Sequence, residues 1–301
     1  MLTQTSRPER ILLSPEFSIG LTLCAVAAMA FWGGEETWIA IPLSVALGAC
    51  ASVCVRARTL FKGPTFTVLS IFMLLQAASP QPLSGCLFTI FAFVSVTILF
   101  SFFAQRGVTR LFYLLFFVNG TISFFYPSWL LWAVTMLGVM IAIREFSLRG
   151  FVAAILGTLT PFIIIPFWSA LLSADPFATV EHLFKPYQRP VFALPDCQPP
   201  DTYVFSAIAC VILSLMTFLT AYGYPFQMRL LNMGVFLISI GAIICPLVTV
   251  GGYSLWLPLL NLCVAYHAAH LIASSRANWI IATVIWLVII AFSVNRLCGL
   301  L

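Results

Sequence analysis

Residues 110–149 read RLFYLLFFVNGTISFFYPSWLLWAVTMLGVMIAIREFSLR, and this stretch decides the fold. Two apolar runs are separated by an uncharged break at Tyr126-Pro127-Ser128, and arginines stand at the two outer ends. A bilayer core takes about 20 helical residues, and loops on its cytoplasmic side carry an excess of Lys and Arg. The stretch therefore predicts two membrane-spanning helices, near 110–126 and 129–143, with both basic ends in the cytoplasm.

The rest of the chain repeats this alternation of long apolar runs and small charge clusters. Apolar residues make up 62% of the sequence and charged residues 8%, whereas soluble domains carry about 25% charged residues. A soluble fold of this size could not enclose so much apolar surface, so lipid is the predicted solvent. The net charge of +5 is distributed over short loops rather than gathered into a patch, which argues against a nucleic-acid partner.

We predict an all-α polytopic transmembrane helix bundle of ten or eleven spans with a cytoplasmic amino terminus. The predicted spans lie near 16–33, 38–55, 64–79, 85–104, 110–126, 129–143, 150–173, 203–222, 230–249, 254–273 and 279–295. In this orientation 11 of the 14 Lys and Arg are cytoplasmic and 6 of the 9 Asp and Glu are outside. The third span is short and the last is weakly anchored, so ten spans is the alternative count.

The first predicted span has a second interpretation. Arg7 and Arg10, an apolar stretch and then Ala28-Met29-Ala30 are typical of a cleavable signal peptide with a small-residue site. The apolar run continues past that site, and a second hydrophobic segment follows closely, which favours a retained helix hairpin.

One segment outside the predicted spans is long, at about 174–202. Its prolines are Pro176, Pro186, Pro190, Pro195, Pro199 and Pro200. Proline at this density disfavours a regular helix and favours stiff extended structure. We therefore predict a single integral membrane domain over 1–301 with a Pro-rich outer loop at about 174–202.

Two adjacent glutamates, Glu35 and Glu36, are the candidate catalytic residues, although no catalytic residue is assigned. They follow the first predicted span on its outer side. Adjacent carboxylates there resemble the acidic motif of polytopic glycosyltransferases that use polyprenyl-phosphate sugars, and the resemblance implies a general base or a metal ligand. The outer loop is much shorter than in those enzymes, which favours the alternative that the pair only marks the outer face.

His267 and His270 are spaced i, i+3 on the tenth predicted span and so share a helix face. Imidazoles in this arrangement could bind a metal or a haem iron, or could relay protons. Tyr266 and Asn261 lie nearby on the same span, but two histidines without a third ligand make a weak metal site. A structural role at a helix end is therefore the favoured interpretation, and no metal or cofactor is predicted.

Residues that break helices indicate where a cavity could form. They are Asn119 and Gly120 in the fifth span, Pro161 and Pro166 in the seventh, Pro246 in the ninth and Pro258 in the tenth. Proline frees backbone carbonyls that neighbours or water must satisfy, and transporters place substrate sites at such points.

The stretch from Arg110 to Trp168 also carries a family resemblance. Its motifs are Arg110-Leu111-Phe112, Asn119-Gly120, Phe125-Tyr126-Pro127-Ser128, Arg144-Glu145-Phe146-Ser147-Leu148-Arg149 and Gly157-Thr158-Leu159-Thr160-Pro161. Their order resembles an uncharacterised family of polytopic inner-membrane proteins from Bacteroidota. The resemblance implies the bacterial inner membrane as the compartment and brings no activity with it.

The expected function is the handling of a hydrophobic or lipid-linked molecule, by a transporter-like protein or by an accessory subunit of an envelope complex. Membrane lipids and other inner-membrane proteins are the expected partners. The alternatives are a polyprenyl-phosphate-sugar-dependent glycosyltransferase acting through Glu35 and Glu36, and a purely structural membrane partner. No charged residue lies deep within a predicted span, which argues against a pump coupled through a carboxylate at the membrane midplane.

Overall fold

A computed structural model describes residues 14–32, 37–57, 66–79, 83–101, 109–143, 147–173, 175–185, 200–249, 252–274 and 279–298. Over these residues the chain is helical, with short 3₁₀ turns and no strand. The α-helices are α1 (Pro15–Trp32), α2 (Thr37–Ala57), α3 (Thr67–Ala78), α4 (Leu83–Ser101), α5 (Thr109–Phe125), α6 (Leu130–Ala142), α7 (Leu148–Leu172), α8 (Pro176–Phe184), α9 (Asp201–Thr220), α10 (Phe226–Leu247), α11 (Tyr253–Ser274) and α12 (Trp279–Cys298). The predicted all-α class is confirmed, and every predicted span corresponds to one helix within a few residues.

Four of the described helices are long and apolar enough to cross a membrane. They cover Leu148–Leu172, Asp201–Gly223, Met228–Leu247 and Tyr253–Ala273. The other apolar helices are shorter over the described residues. Length and composition therefore associate the chain with a membrane.

Helix α8 corrects the prediction that 174–202 holds no regular helix. The Asp175 carboxylate accepts a hydrogen bond from the backbone N–H of Ala178 at 3.2 Å and so caps the first turn. Pro176 occupies the first helical position, where its missing N–H would have no helical partner in any case. Proline here begins a helix instead of breaking one. The remaining predicted loop prolines except Pro200 fall outside the described residues.

The contacts divide the chain into two compact units. Unit 1 comprises Met1–Ile90, Pro199–Ala242 and Tyr253–Leu301, and unit 2 comprises Phe91–Gln198 and Ile243–Gly252. That 1–301 forms a single integral membrane domain stays a prediction.

Helix α3 lies at the core of unit 1. All 12 of its residues are buried, and it contacts α1, α2, α11 and α12. At 1.5 Å of rise per residue it is about 18 Å long, against about 30 Å for a hydrocarbon core. Protein encloses this short helix on every side, and such enclosure is the condition under which irregular backbone is tolerated at membrane depth.

Unit 2 is built on close packing between α5 and α7. The buried residues of α7 include the small residues Gly150, Ala153, Ala154 and Gly157, which share one helix face. A Cβ atom added at Gly120 would lie 2.5 Å from the carbonyl oxygen of Thr158, so the two backbones nearly touch. Small residues allow such approach between helices in lipid.

This packing also corrects the expected interruption at Asn119–Gly120. Helix α5 is continuous from Thr109 to Phe125. Gly120 is required by the neighbouring backbone and not by a break in its own helix. The helical assignment likewise continues through Pro161 and Pro166 in α7, through Pro246 in α10 and through Pro258 in α11.

Candidate functional site

Both histidines singled out by their spacing lie in the interior of unit 1. His267 and His270 are fully buried on α11. The Nε2 atom of His267 lies 2.8 Å from the Oγ of Ser239 on α10, within hydrogen-bond distance. The His270 ring meets the rings of Tyr224 and Tyr266 at centroid distances of 5.7 and 6.1 Å. The structure thus places the pair among polar and aromatic side chains of three chain segments.

Two more hydrogen bonds join α11 to its neighbours. The Ser206 hydroxyl of α9 donates to Oδ1 of Asn261 at 2.8 Å. The Tyr266 hydroxyl donates to Oδ1 of Asn232 on α10 at 3.0 Å. We call the six residues of these three pairs the polar seam: Ser206, Asn232, Ser239, Asn261, Tyr266 and His267.

The polar seam is enclosed by apolar helices, and its members form hydrogen-bonded pairs. Each residue of the seam is at most 7% exposed. Asn232 and Ser239 also donate to carbonyls of their own helix, those of Met228 and Val235, at 2.9 Å each. Hydrogen bonds of this kind between helices in lipid contribute about 0.6–2 kcal/mol each, so the three pairs fix the positions of α9, α10 and α11.

Helix α9 exposes apolar residues and buries polar ones. Its buried positions are Thr202, Tyr203, Ser206, Cys210, Ser214 and Thr217, which follow one face of the helix. On the opposite face Ile208 is 56% exposed and Leu219 is 60% exposed. Water would favour the reverse arrangement, whereas lipid favours apolar residues outside and small polar residues at helix contacts.

Hydrogen-bond donors and acceptors are the chemistry that the polar seam offers. The Nδ1 atom of His267 has no hydrogen-bond partner among the described residues, so it could bond a polar group that entered beside it. Across the described part of the chain, no three His, Cys, Asp or Glu side chains lie close enough together to hold a metal ion. The chemistry of the seam is thus that of hydrogen bonding.

Two of the predicted helix-breaking residues lie on helices of the seam, Pro246 on α10 and Pro258 on α11, and of these Pro258 belongs to unit 1. Proline cannot donate to the carbonyl four residues earlier, here that of Ser254. A Cβ atom added at Gly85 on α4 would lie 2.7 Å from this carbonyl oxygen, so only glycine fits against it. Gly85 thus lets α4 approach the carbonyl to which Pro258 cannot donate.

The other predicted helix-breaking residues belong to unit 2. Asn119 is fully buried there, and its Oδ1 accepts from Nε1 of Trp129 at 2.8 Å and from the Ser95 hydroxyl at 3.3 Å. Its Nδ2 donates to the carbonyl of Leu115 at 2.8 Å. The Asn119 side chain is therefore committed to structure. Gly120, Pro161, Pro166 and Pro246 are buried in the same unit, and their place beside a cavity stays a prediction.

The candidate acidic residues Glu35 and Glu36 lie outside the described residues. In contrast, the structure adds Ser206, Asn232 and Ser239 to the site, which the sequence did not single out. One signal is available for two of them, because Asn232 and Ser239 are seven residues apart and therefore lie on one face of a mostly apolar helix.

No family model, curated protein or solved structure matches the chain. The function of the chain is therefore inferred from the geometry of its two units.

Proposed function

We propose that the chain is a multi-pass protein of the bacterial inner membrane that handles a hydrophobic or lipid-linked molecule in a transporter-like manner. The proposal includes ten or eleven membrane crossings and a cytoplasmic amino terminus. It also includes membership of the Bacteroidota family of polytopic proteins that the sequence resembles.

The observation that carries this proposal is the burial pattern of α9. The helix presents Ile208 and Leu219 outward while Ser206 and Thr217 are at most 2% exposed. One helix thus separates a lipid-type surface from the polar seam. A molecule with an apolar chain and a polar head group fits both environments. Its chain stays in lipid, while its head group finds hydrogen-bond partners in the seam.

The contact between α9 and α10 supports entry from the side. The two helices meet through the rings of Phe218 and Phe236, whose centroids are 5.2 Å apart, whereas α9 packs closely against α11. Rotation of these two aromatic side chains would open a path from the surface to Ser239. Such a rotation disturbs the structure less than moving closely packed backbones apart. We therefore assign the α9–α10 contact as the entrance.

The experiment that tests the proposal is extraction into lipid nanodiscs without detergent, followed by mass spectrometry of every lipid-soluble molecule retained. We expect one molecule with a long apolar chain to be enriched over bulk membrane lipid. The variants Asn261→Leu and Ser239→Ala should lose it. Asn119→Leu is the matched control, because that buried asparagine is bonded within unit 2.

Two results would overturn the proposal. One is that the unaltered protein retains bulk lipid and no enriched molecule. The other is equal retention by the seam variants and by unaltered protein at the same folded yield. Stoichiometric recovery of another inner-membrane protein, without any enriched small molecule, would instead favour an accessory subunit.

A further inference from the structure

An apolar groove opens on unit 1 where α9 turns into α10. It encloses about 190 Å³, and its walls include Phe218, Tyr222, Phe226, Leu230 and Met233. Tyr222 is 64% exposed and Phe226 is 53% exposed. An exposed tyrosine at the end of a span is typical of the membrane–water interface, because its ring is apolar and its hydroxyl is polar.

A cationic side chain is among the described residues that line this groove. Arg229 is exposed on the first turn of α10, and its Cζ atom lies 5.9 Å from the centroid of the Phe226 ring. No acidic side chain among the described residues forms an ion pair with it. The exposed guanidinium offers a positive charge and a planar set of donors, which match a phosphate group in sign and geometry.

We propose that the groove binds one anionic phospholipid, with the head-group phosphate on Arg229 and an acyl chain along Phe218 and Met233. Two observations favour a lipid over other anions. The walls are apolar, so a small phosphate ion would leave them in water. The groove also joins two of the helices that are long and apolar enough to cross a membrane.

The predicted topology places Arg229 at the cytoplasmic face, where anionic lipids attract basic side chains. The proposed lipid site depends on the membrane location proposed above but not on any role of the polar seam. Carbonate extraction of membranes tests the location separately. A protein that stays in the membrane pellet and yet binds no anionic lipid would refute the lipid site alone.

The test uses the full chain, purified and stripped of lipid by detergent exchange. Phosphatidylglycerol and phosphatidylcholine with the same acyl chains are added, and bound copies are counted by native mass spectrometry. We expect one phosphatidylglycerol to bind at least about fivefold more tightly than phosphatidylcholine, since one basic residue at an anionic surface contributes about that factor. Arg229→Gln should abolish the preference and Arg229→Lys should restore part of it.

Two matched variants separate this site from general surface charge. Arg149→Gln removes another exposed arginine, at the start of α7, and should leave the preference unchanged. Met233→Trp keeps the charge and fills the groove, so it should weaken the binding of both lipids. Equal losses in Arg229→Gln and Arg149→Gln would overturn the proposal. Displacement of the lipid by millimolar inorganic phosphate would identify an anion site and overturn it as well.

Discussion

Ser239 and His267 show how single side chains hold this molecule together. Their 2.8 Å contact joins α10 to α11, and both side chains are fully buried. Removal of the serine hydroxyl would leave a buried ring nitrogen without its partner, which costs more than the bond itself contributes. The same reasoning applies to the pairs of Ser206 with Asn261 and of Asn232 with Tyr266.

A double-mutant cycle measures the bond between Ser239 and His267. We expect Ser239→Ala and His267→Phe to be coupled by about 0.6–1.7 kcal/mol, the range observed for hydrogen bonds between membrane helices. Unfolding in mixed micelles supplies the free energies. Thr217→Val is the control, because the Thr217 hydroxyl donates to the carbonyl of Leu213 in its own helix, and it should show no coupling to His267→Phe. A coupling energy of zero between Ser239→Ala and His267→Phe would show that these two side chains form no stabilising hydrogen bond.

Metal analysis tests the structural interpretation of the histidines. We expect His267→Gln combined with His270→Gln to leave the metal content of the folded protein unchanged, because the two rings lack a third ligand among the described residues. Elemental analysis by mass spectrometry is the measurement. Stoichiometric zinc or iron that disappears in the double variant would contradict this expectation.

Half of the candidate site could be predicted from the sequence. The two histidines stood out because imidazole is rare in an apolar helix, and Asn261 and Tyr266 lie on the same helix. Their partners on α9 and α10 could not be predicted, since pairing between helices depends on rotation and packing. Serine is also common enough in membrane helices to give no signal by itself.

Among contacts between helices, the backbone contact of α5 with α7 leaves no room for a side chain at Gly157. A Cβ atom at Gly157 would lie 2.5 Å from the carbonyl oxygen of Tyr113 and 3.0 Å from the backbone nitrogen of Phe117. Backbone atoms cannot turn aside as a flexible side chain can. The helices would have to move apart and lose the contacts that the small residues permit.

We therefore expect Gly157→Ala to lower the free energy of unfolding by about 1–3 kcal/mol, the usual cost of overpacking. Gly138→Ala on α6 is the matched control, because nothing lies within 4 Å of its added Cβ atom. That variant should be neutral, or more stable by up to about 1 kcal/mol through helix propensity. Thermal unfolding of both variants in the same detergent is the measurement, and equal behaviour would contradict the close contact.

The sequence predicted helices well because apolar runs end where charges, prolines or glycines begin. It failed where a residue type had two uses. Pro176 has the residue type of a helix breaker but begins α8, and Gly120 has that of an interruption but allows α7 to approach α5. In both cases the deciding information was the position of the residue relative to a helix end or a neighbouring helix.

At the scale of the whole molecule, the orientation is open to direct measurement. We expect reporter fusions after Lys62, Arg110 and Arg149 to lie in the cytoplasm and fusions within 180–200 to lie outside, following the distribution of basic residues. A fusion at Gln81 should also report the outside, which makes α3 a crossing despite its length. A cytoplasmic signal there would reduce the span count, and reversal of all five signals would reverse the orientation.

Helix α3 also sets an order on the making of the protein. Its Ser70 hydroxyl donates to the Ser18 carbonyl at 2.7 Å, whereas its Leu74 carbonyl accepts from Ser293, 219 positions later in the chain. A ribosome therefore delivers α1 and α2 beside α3 early, and α11 and α12 only after most of the polypeptide has been synthesised. Until α11 and α12 are present, the side of α3 that contacts them has no partner from its own chain. A chain that stops before α12 therefore leaves that side exposed, so burial of one short helix distinguishes finished molecules from unfinished ones.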